Sequence, residues 1–350
     1  MSRRSAPSVL AATVALTAAC LTLAAPAHGA TGTAVGNCSP SVSLTGYSDA
    51  LDKTTYDNTF VGNISALAVD RGGRLAALSD RSSLFTLDRD PRDRDPLAPR
   101  SVVPLADEQG AALDSEGLAV DRDGTYLVTS ETEPSIRRYD RSGAHILDRL
   151  PVPAPLTERA RSNASFEGLT LLPGGRTLLA SMEAPLTGDT VNRLQTWRRT
   201  PAGSFAPAAQ YGYRADPNLG ISEVTAAPDG RLLVLERGFT SGVGNTIRLY
   251  AADLRGASDT SGIDTLTGQE EGTRLAHKTL LADLANCPSL GAPAHQPQPN
   301  PILDNIEAMT VTGATGRGPH GALNLLLASD DNQSATQITR FYSLRIVTAE

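Results

Sequence analysis

Acidic side chains recur at a fixed position in short, similar segments of this 350-residue chain. Four segments carry a glutamate before small or apolar residues: SEGLAV with Glu116, FEGLTL with Glu167, SEVTAA with Glu223 and IEAMTV with Glu307. A fifth segment, ISALAV, has Ser65 at that position. Carboxylates that converge repel one another unless protons, arginines or a cation compensate their charge. Hard oxygen ligands of this kind suit calcium.

A second acidic position follows each segment, after a turn and an apolar run. Its residues are Asp80, Glu131, Glu183, Glu236 and Asp330, the last followed by Asp331. Arg81 and Arg237 each come directly after one of these acids and could bind an anion with two N–H groups. Asn305 and Asn332 add amide oxygens that could complete a calcium site.

The elements that must position these residues are short strands. Each of the first four repeats contains four apolar or alternating runs separated by Gly, Pro and Asp, at a spacing of 51 to 56 residues for the first three intervals. Helical periodicity is not sustained anywhere, so the class is all-β. Four-stranded units at this spacing predict a β-propeller, whose inner strands would bring the glutamates around one axis.

Five repeats predict five blades. The last interval is 84 residues, and we interpret the excess as two surface loops at residues 254–277 and 288–301. A six-bladed ring, with one degenerate blade in that interval, is the alternative.

The last repeat supplies only three strands, and the orphan run SVSLTGYS, beginning at Ser41, can provide its fourth. Closing the ring in this way removes an open strand edge. Closure would also bring Cys38 beside Cys287, which predicts a disulfide at the seam. Two unpaired thiols remain the alternative.

The first 30 residues read as a secretory signal peptide, and residues 31–350 as one propeller domain. Arg3 and Arg4 precede an apolar run over residues 9–25, and small residues at Ala27 and Ala30 suit cleavage. We therefore expect a secreted protein.

The formal net charge is -7, and loss of the two leader arginines makes the mature chain more acidic still. An acidic surface argues against nucleic acid and anionic membranes as partners. We expect no membrane insertion, a monomer, and a small-molecule ester or phosphate as the partner. No G-x-S-x-G elbow occurs, which disfavours a serine hydrolase of the α/β type.

Several of these segments resemble one known family. The segments EGLAV and YLVTSE, the run Asp304–Glu307 and the run Ser329–Asn332 are similar to those of the secreted phytase-like family, labelled "esterase-like activity of phytase". The resemblance covers nearly all of the expected mature chain. It implies kinship with β-propeller phytases, which use calcium ions held by carboxylates to bind phosphate esters and activate water.

Two roles are open for the repeated acids. They could be metal ligands, which we assign as Glu116, Glu167, Glu223, Glu307, Asp80, Glu131, Asp330 and Asp331, with Arg81, Arg237 and Asn332 binding substrate. Alternatively, each glutamate accepts backbone N–H groups of the next blade as a structural joint. For the whole protein, we predict a calcium-dependent hydrolase of phosphate or carboxylic esters. The alternative is a non-catalytic propeller that binds a small ligand, glycan or protein.

Overall fold

The computed structural model describes residues 31–32, 35–89, 97–315 and 321–347. The predicted signal peptide, with its cleavage positions, lies outside the described residues. Five short strands precede the first complete blade. They are β1 (Thr31–Gly32), β2 (Gly36–Asn37), β3 (Val42–Ser48), β4 (Thr54–Tyr56) and β5 (Thr59–Val61).

Four sheets each contain four consecutive antiparallel strands, and a fifth sheet completes the ring of a five-bladed β-propeller. Blade 1 consists of β6 (Ile64–Val69), β7 (Leu75–Ser79), β8 (Ser83–Asp88) and β9 (Ala98–Pro104). Blade 2 consists of β10 (Ser115–Val120), β11 (Tyr126–Ser130), β12 (Ser135–Tyr139) and β13 (Ile146–Leu150). Blade 3 consists of β14 (Phe166–Leu171), β15 (Thr177–Met182), β16 (Asn192–Arg199) and β17 (Phe205–Tyr213). Blade 4 consists of β18 (Gly220–Ala226), β19 (Leu232–Thr240), β20 (Gly244–Asp253) and β21 (His277–Asp283).

Blade 5 joins the two ends of the chain. Its four blade strands are β22 (Ile306–Thr315), β23 (Ala322–Ser329), β24 (Phe341–Val347) and β3, and the short strands β1 and β2 pair with the outer edge of β3. The β3 strand pairs antiparallel with β24, from Val42 opposite Ile346 to Ser48 opposite Phe341. The predicted closure by the N-terminal strand is therefore confirmed. The predicted disulfide between Cys38 and Cys287 is also present and fastens this strand to the loop after blade 4.

The first strands of the five blades adjoin one another in a ring around the axis. The buried apolar side chains fall into five clusters, each between two consecutive blades. Both faces of an inner blade are thus covered, which explains why the inner strands are apolar at successive positions. Each buried Leu or Phe contributes about 1.5 to 3 kcal/mol to this packing.

The inner strands end in tight turns on the side of the blade far from the acidic residues. The Asp70 carboxylate accepts the N–H groups of Gly72 and Arg74 at 2.7 and 2.9 Å. Gly73 has a φ of 80°, in the left-handed region that glycine adopts without steric cost.

The two long segments of blade 4 contain no strand, so the six-bladed alternative is wrong. Residues 254–276 run along the outer edge of β17, where Thr260 and Ala276 donate to the carbonyls of Gln210 and Gly212 at 2.8 Å. This loop occupies an edge that would otherwise remain open. The helices among the described residues are α1 (Ala154–Glu158) and a 3₁₀ turn, Leu284–Asn286. Within those residues no helix is both long and apolar enough to cross a membrane.

Candidate functional site

The first strand of every blade contains a bulge near its start. In β22, Ile306 lies opposite Ser329 and Ala308 lies opposite Ala328, so Glu307 has no partner residue. The same shift of one residue occurs in the first strands of the other blades. The bulge residues are Ser65, Glu116, Glu167, Ser222 and Glu307. A bulge re-aims its side chain away from the regular alternation of the strand.

A second residue from each blade lies beside the bulge, at the end of the second strand. We call these the rim residues, and they are Asp80, Glu131, Glu183, Arg237 and Asp330. In four blades the rim N–H donates to the carbonyl of the residue that precedes the first strand. These bonds join Asp80 to Asn63 (3.0 Å), Glu131 to Asp114 (2.8 Å), Glu183 to Ser165 (2.7 Å) and Asp330 to Asn305 (2.9 Å). The repeated bond places bulge and rim side chains around one opening, which we call the acidic funnel.

Blade 4 departs from the expected alignment. Ile221 lies opposite Glu236 and Gly220 lies opposite Arg237, so the bulge residue is Ser222. The expectation that Glu223 matches Glu116 and that Glu236 matches Glu131 is therefore wrong by one residue. The register follows the apolar residues of β19, which pack between blades, and not the acidic residues.

Glu223 consequently lies at the position that Gly117 and Gly168 hold in blades 2 and 3. One of its oxygens accepts the N–H of Val224 at 2.8 Å, and the N–H groups of Leu169 and Met309 also point at its carboxyl. It therefore bridges the inner strands of blades 3, 4 and 5. Burial raises the pKa of this carboxyl well above its usual value, against the lowering effect of these N–H groups. The structural joint foreseen as the alternative role is realised here.

The glycines of the EGL segments permit the same close approach of inner strands. A Cβ on Gly117 would lie 2.2 Å from the carbonyl oxygen of Glu167, and one on Gly168 would lie 2.3 Å from the backbone nitrogen of Val224. Neither position can carry a larger side chain without displacing the next blade.

Glu236 turns toward blade 3, away from the funnel residues. Its carboxylate accepts the hydroxyl of Tyr213 at 2.6 Å, the N–H of Asp216 at 2.8 Å and the ammonium of Lys278 at 2.6 Å. These bonds satisfy a fully buried charge, so Glu236 is a structural residue.

Carboxyl groups of blades 2 and 3 approach closely enough to share a cation. Asp114, Glu116 and Glu131 each offer an oxygen within 4.8 Å of the others, and so do Glu131, Glu167 and Glu183. Glu131 belongs to both groups, and the two groups together form a continuous row of five carboxyls.

Glu116 and Glu167 are the most unusual members of this row. Their residues are only 8% and 5% exposed. Neither side chain has a hydrogen bond or an ion pair with any residue that the structure describes. Burial raises the pKa of both carboxyls well above the usual value, and neighbouring carboxylates raise it further: chiefly Glu307 for Glu116, and Glu116 for Glu167. Burying an ionised carboxylate without a partner costs free energy. Both side chains therefore require a proton or a cation to neutralise them.

Two rim acids titrate close to neutral pH. Burial raises the pKa of Glu131 to about 7, although its Oε1 accepts the N–H of Ser165 at 2.8 Å. Burial likewise raises the pKa of Asp80 to about 6, against the lowering effect of Arg81. The Oδ1 atom of Asp80 is buried and has no hydrogen-bond donor among the described residues.

Arg237 provides positive charge within the acidic funnel. Its Nη2 lies 3.1 Å from Glu307 and 3.4 Å from Glu183, and its Nη1 donates to Asn305 at 3.0 Å. The Asn305 amide in turn donates to Glu307 at 3.0 Å and to Asp330 at 3.3 Å. Arg237 and Asn305 thus connect blades 3, 4 and 5 across the opening.

Three other predicted site residues have different surroundings. Asp331 forms an ion pair with Lys53 and accepts the N–H of Asn63 at 3.0 Å, so its carboxylate already has partners. Asn332 is exposed in a left-handed turn, and its N–H donates to Asp330 at 2.7 Å. Arg81 is largely exposed, with Nε 3.6 Å from Asp80.

A comparison with known protein families identifies the family of this chain. The family model described as "Phytase-like: Esterase-like activity of phytase" matches residues 59–333. This chain belongs to the phytase-like family. A search of curated proteins gives no significant match.

Several solved structures resemble this phytase-like chain at low identity. A gluconolactonase from Xanthomonas campestris is 14% identical with a TM-score of 0.38, over 82% of this chain and 73% of that one. The calcium structure of a Trichoderma reesei carbohydrate-active enzyme of family AA12 is 13% identical with a TM-score of 0.37, over 89% of this chain and 96% of that one. The identities and TM-scores are too low to bear on the activity of the phytase-like chain.

Two carboxyls of the funnel in this phytase-like protein were not among the predicted ligands. Glu183 was expected at the rim but was not assigned to the metal, and Asp114 was missed altogether. A signal for it exists, because the residue two positions before the bulge residue is polar or glycine in every blade. These residues are Asn63, Asp114, Ser165, Gly220 and Asn305.

Proposed function

We propose that this phytase-like protein is an extracellular hydrolase of phosphate or carboxylic esters that binds calcium in the acidic funnel. The observation that carries the proposal is the pair of carboxyl groups sharing Glu131, in which Glu116 and Glu167 are buried without partners. Membership of a family described by an esterase-like activity of phytase supports the same chemistry.

The donor set fits calcium. All candidate ligands are carboxyl oxygens, and calcium takes six to eight oxygens in flexible geometry. The residues that would hold it are Asp114, Glu116, Glu131, Glu167 and Glu183, with Asp80, Glu307 and Asp330 at the margin of the same opening. Glu223 and Asp331 belong to neither carboxyl group, and we leave them out: backbone N–H groups engage the Glu223 carboxyl, and Lys53 pairs with that of Asp331.

A bound divalent cation would polarise the ester oxygen and lower the pKa of a water. The chain itself would contribute positioning and proton transfer. Arg237 lies at the blade 3 end of the carboxyl row, 3.4 Å from Glu183, and its guanidinium would orient a negatively charged oxygen of the substrate. Asp80, with a pKa of about 6 and an Oδ1 that accepts no hydrogen bond from the described residues, would be ionised at neutral pH and could accept a proton.

Secretion is part of the proposal. A disulfide joins Cys38 to Cys287, and such bonds persist in oxidising compartments. Extracellular calcium is abundant enough to occupy a site of modest affinity.

Thermal unfolding with calcium and with a chelator, followed by a panel of phosphate and carboxylic esters, tests the proposal. Glu116→Gln and Glu167→Gln should fold, lose the calcium-dependent rise in Tm and lose hydrolysis. Glu271→Gln, in an exposed loop of blade 4, is the matched control and should behave as wild type. A calcium-dependent Tm without turnover of any ester would instead favour a propeller that binds its ligand without reaction.

A further inference from the structure

The hairpin between β19 and β20 carries two exposed apolar side chains. Phe239 is 58% exposed and Val243 is 55% exposed. The pairing of β19 with β20 continues without a bulge from Leu232 to the last pair, Thr240 with Gly244. The hairpin therefore extends three residues past Arg237, on the face of the propeller where the acidic funnel opens.

Strand alternation fixes the direction of Phe239. Residues two apart on a strand point to the same face and lie about 7 Å apart. Phe239 is two residues beyond Arg237, so it projects from the same face of β19 as the arginine that pairs with Glu307. Its apolar ring is thus the next surface that a molecule seated on Arg237 would meet.

The hairpin is held firmly on both sides. A Cβ on Gly244 would lie 2.5 Å from the carbonyl oxygen of Pro297, and one on Gly238 would lie 2.7 Å from that of Asn218. The N–H of Asn245 donates to the Gln298 side chain at 2.8 Å. Since the hairpin is packed against both neighbouring loops, the exposure of its tip is a property of the fold.

The charge of the acidic funnel limits which substrates could bind there and also contact the hairpin. Of the ten bulge and rim residues, seven are acidic and one, Arg237, is basic. A substrate with many negative charges would need several bound cations to offset the ionised carboxylates of this set. A substrate with a single anionic or ester group and an apolar substituent would fit better, because the first group suits the acidic funnel and the second suits the hairpin tip.

Building on the proposed hydrolase function, we infer that Phe239 and Val243 form the contact for an apolar substituent, so that the substrate class is aryl or alkyl esters and not polyphosphorylated alcohols. The ester group would lie between Arg237 and the blade 2 members of the carboxyl row. The substituent would project outward along the hairpin and bury the Phe239 ring.

Phenyl phosphate and methyl phosphate, titrated calorimetrically in calcium, test this inference. Wild type should bind phenyl phosphate about tenfold more tightly than methyl phosphate, as expected for burying one ring against an exposed one. The double variant Phe239→Ser, Val243→Ser should lose this preference and bind methyl phosphate unchanged. Leu147→Ser, at an equally exposed position on β13, is the control and should keep the preference.

Binding and turnover separate this inference from the proposed function. If neither phosphate is hydrolysed but the tenfold preference disappears only in the double variant, the contact stands and the hydrolase proposal fails. Equal affinities of wild type for the two phosphates would overturn the contact, and so would an unchanged preference in the double variant. Absence of detectable binding of either phosphate at millimolar concentration would also overturn it.

Discussion

Nη2 of Arg237 lies 3.1 Å from Oε1 of Glu307, across the junction between blades 4 and 5. Every other blade places an acid where blade 4 places this arginine. The funnel is consequently polarised, with clustered carboxyls on blades 2 and 3 and a guanidinium facing them from blade 4. This polarity could place a cation and an anionic group of a substrate side by side.

Replacement of Arg237 by glutamine should destabilise the cation-free protein by about 3 kcal/mol. Removing one partner of a largely buried ion pair leaves Glu307 and Glu183 uncompensated. Calcium should restore most of the loss, because a cation can take over the role of the guanidinium. Urea unfolding with chelator and with calcium measures both effects. Arg231→Gln, whose ion pair with Asp229 is more exposed, should change stability by less than about 1 kcal/mol.

The cation-free protein should become less stable as pH rises from about 4 to about 7. The pKa values of Glu131 and Asp80 are raised to about 7 and about 6, so the folded chain binds these protons more tightly than the unfolded chain. Their contribution is complete below the unfolded values near 4. It is lost as pH passes through the folded values.

Scanning calorimetry in chelator from pH 4 to pH 8 measures this trend. Calcium should reverse it at pH 8, where the carboxyls are ionised and bind the cation without competition from protons. The double variant Asp80→Asn, Glu131→Gln should show a flatter profile. A wild-type Tm that increases between pH 5 and pH 7 in chelator would contradict the expectation. Asp216, with a pKa lowered to about 2, affects stability only at more acidic pH.

Much of the fold could be predicted because turn residues and apolar runs report local geometry directly. Ring closure was predictable too, since blade 5 lacked one strand and the run from Ser41 had no partner. The site was harder to predict at blade 4. There, SEV resembles SEG of blade 2, yet packing of Leu235 between blades sets the register and moves Glu223 out of the bulge. The pattern of acidic residues does not reveal this shift of one residue, because the register depends on contacts between residues distant in sequence.

Removal of the disulfide by Cys38→Ser and Cys287→Ser should cost about 2 to 5 kcal/mol, since it closes a loop with a sequence separation of 249 residues. The loss should be concentrated at the seam, where the disulfide is the covalent link between the segment before β3 and the loop after blade 4. Hydrogen exchange should therefore accelerate in β3 and β24 before it changes in blades 2 and 3. Reduction of the wild-type protein should reproduce this pattern, and a uniform change over all blades would count against a seam role.

Glu223 and Glu116 should respond in opposite ways to loss of their carboxyl groups. Glu223 accepts backbone N–H groups from three inner strands, so Glu223→Ala leaves buried donors unpaired and should cost about 3 kcal/mol. Glu223→Gln keeps an acceptor oxygen and should cost less than Glu223→Ala. Both variants should still gain stability from calcium.

Glu116 has no partner to lose, so Glu116→Gln should leave the cation-free protein as stable as wild type or more stable. A buried carboxyl crowded by Glu307 and Glu131 is replaced by a neutral amide of similar shape. Calcium affinity, measured by calorimetry at pH 8, should decrease at least about tenfold, because the amide offers one neutral oxygen in place of a carboxylate. If instead Glu116→Gln unfolds the chain while Glu223→Ala abolishes calcium binding, the assignment of joint and site is reversed. Blade 4 would then hold the cation, against the polarity that Arg237 gives to the funnel.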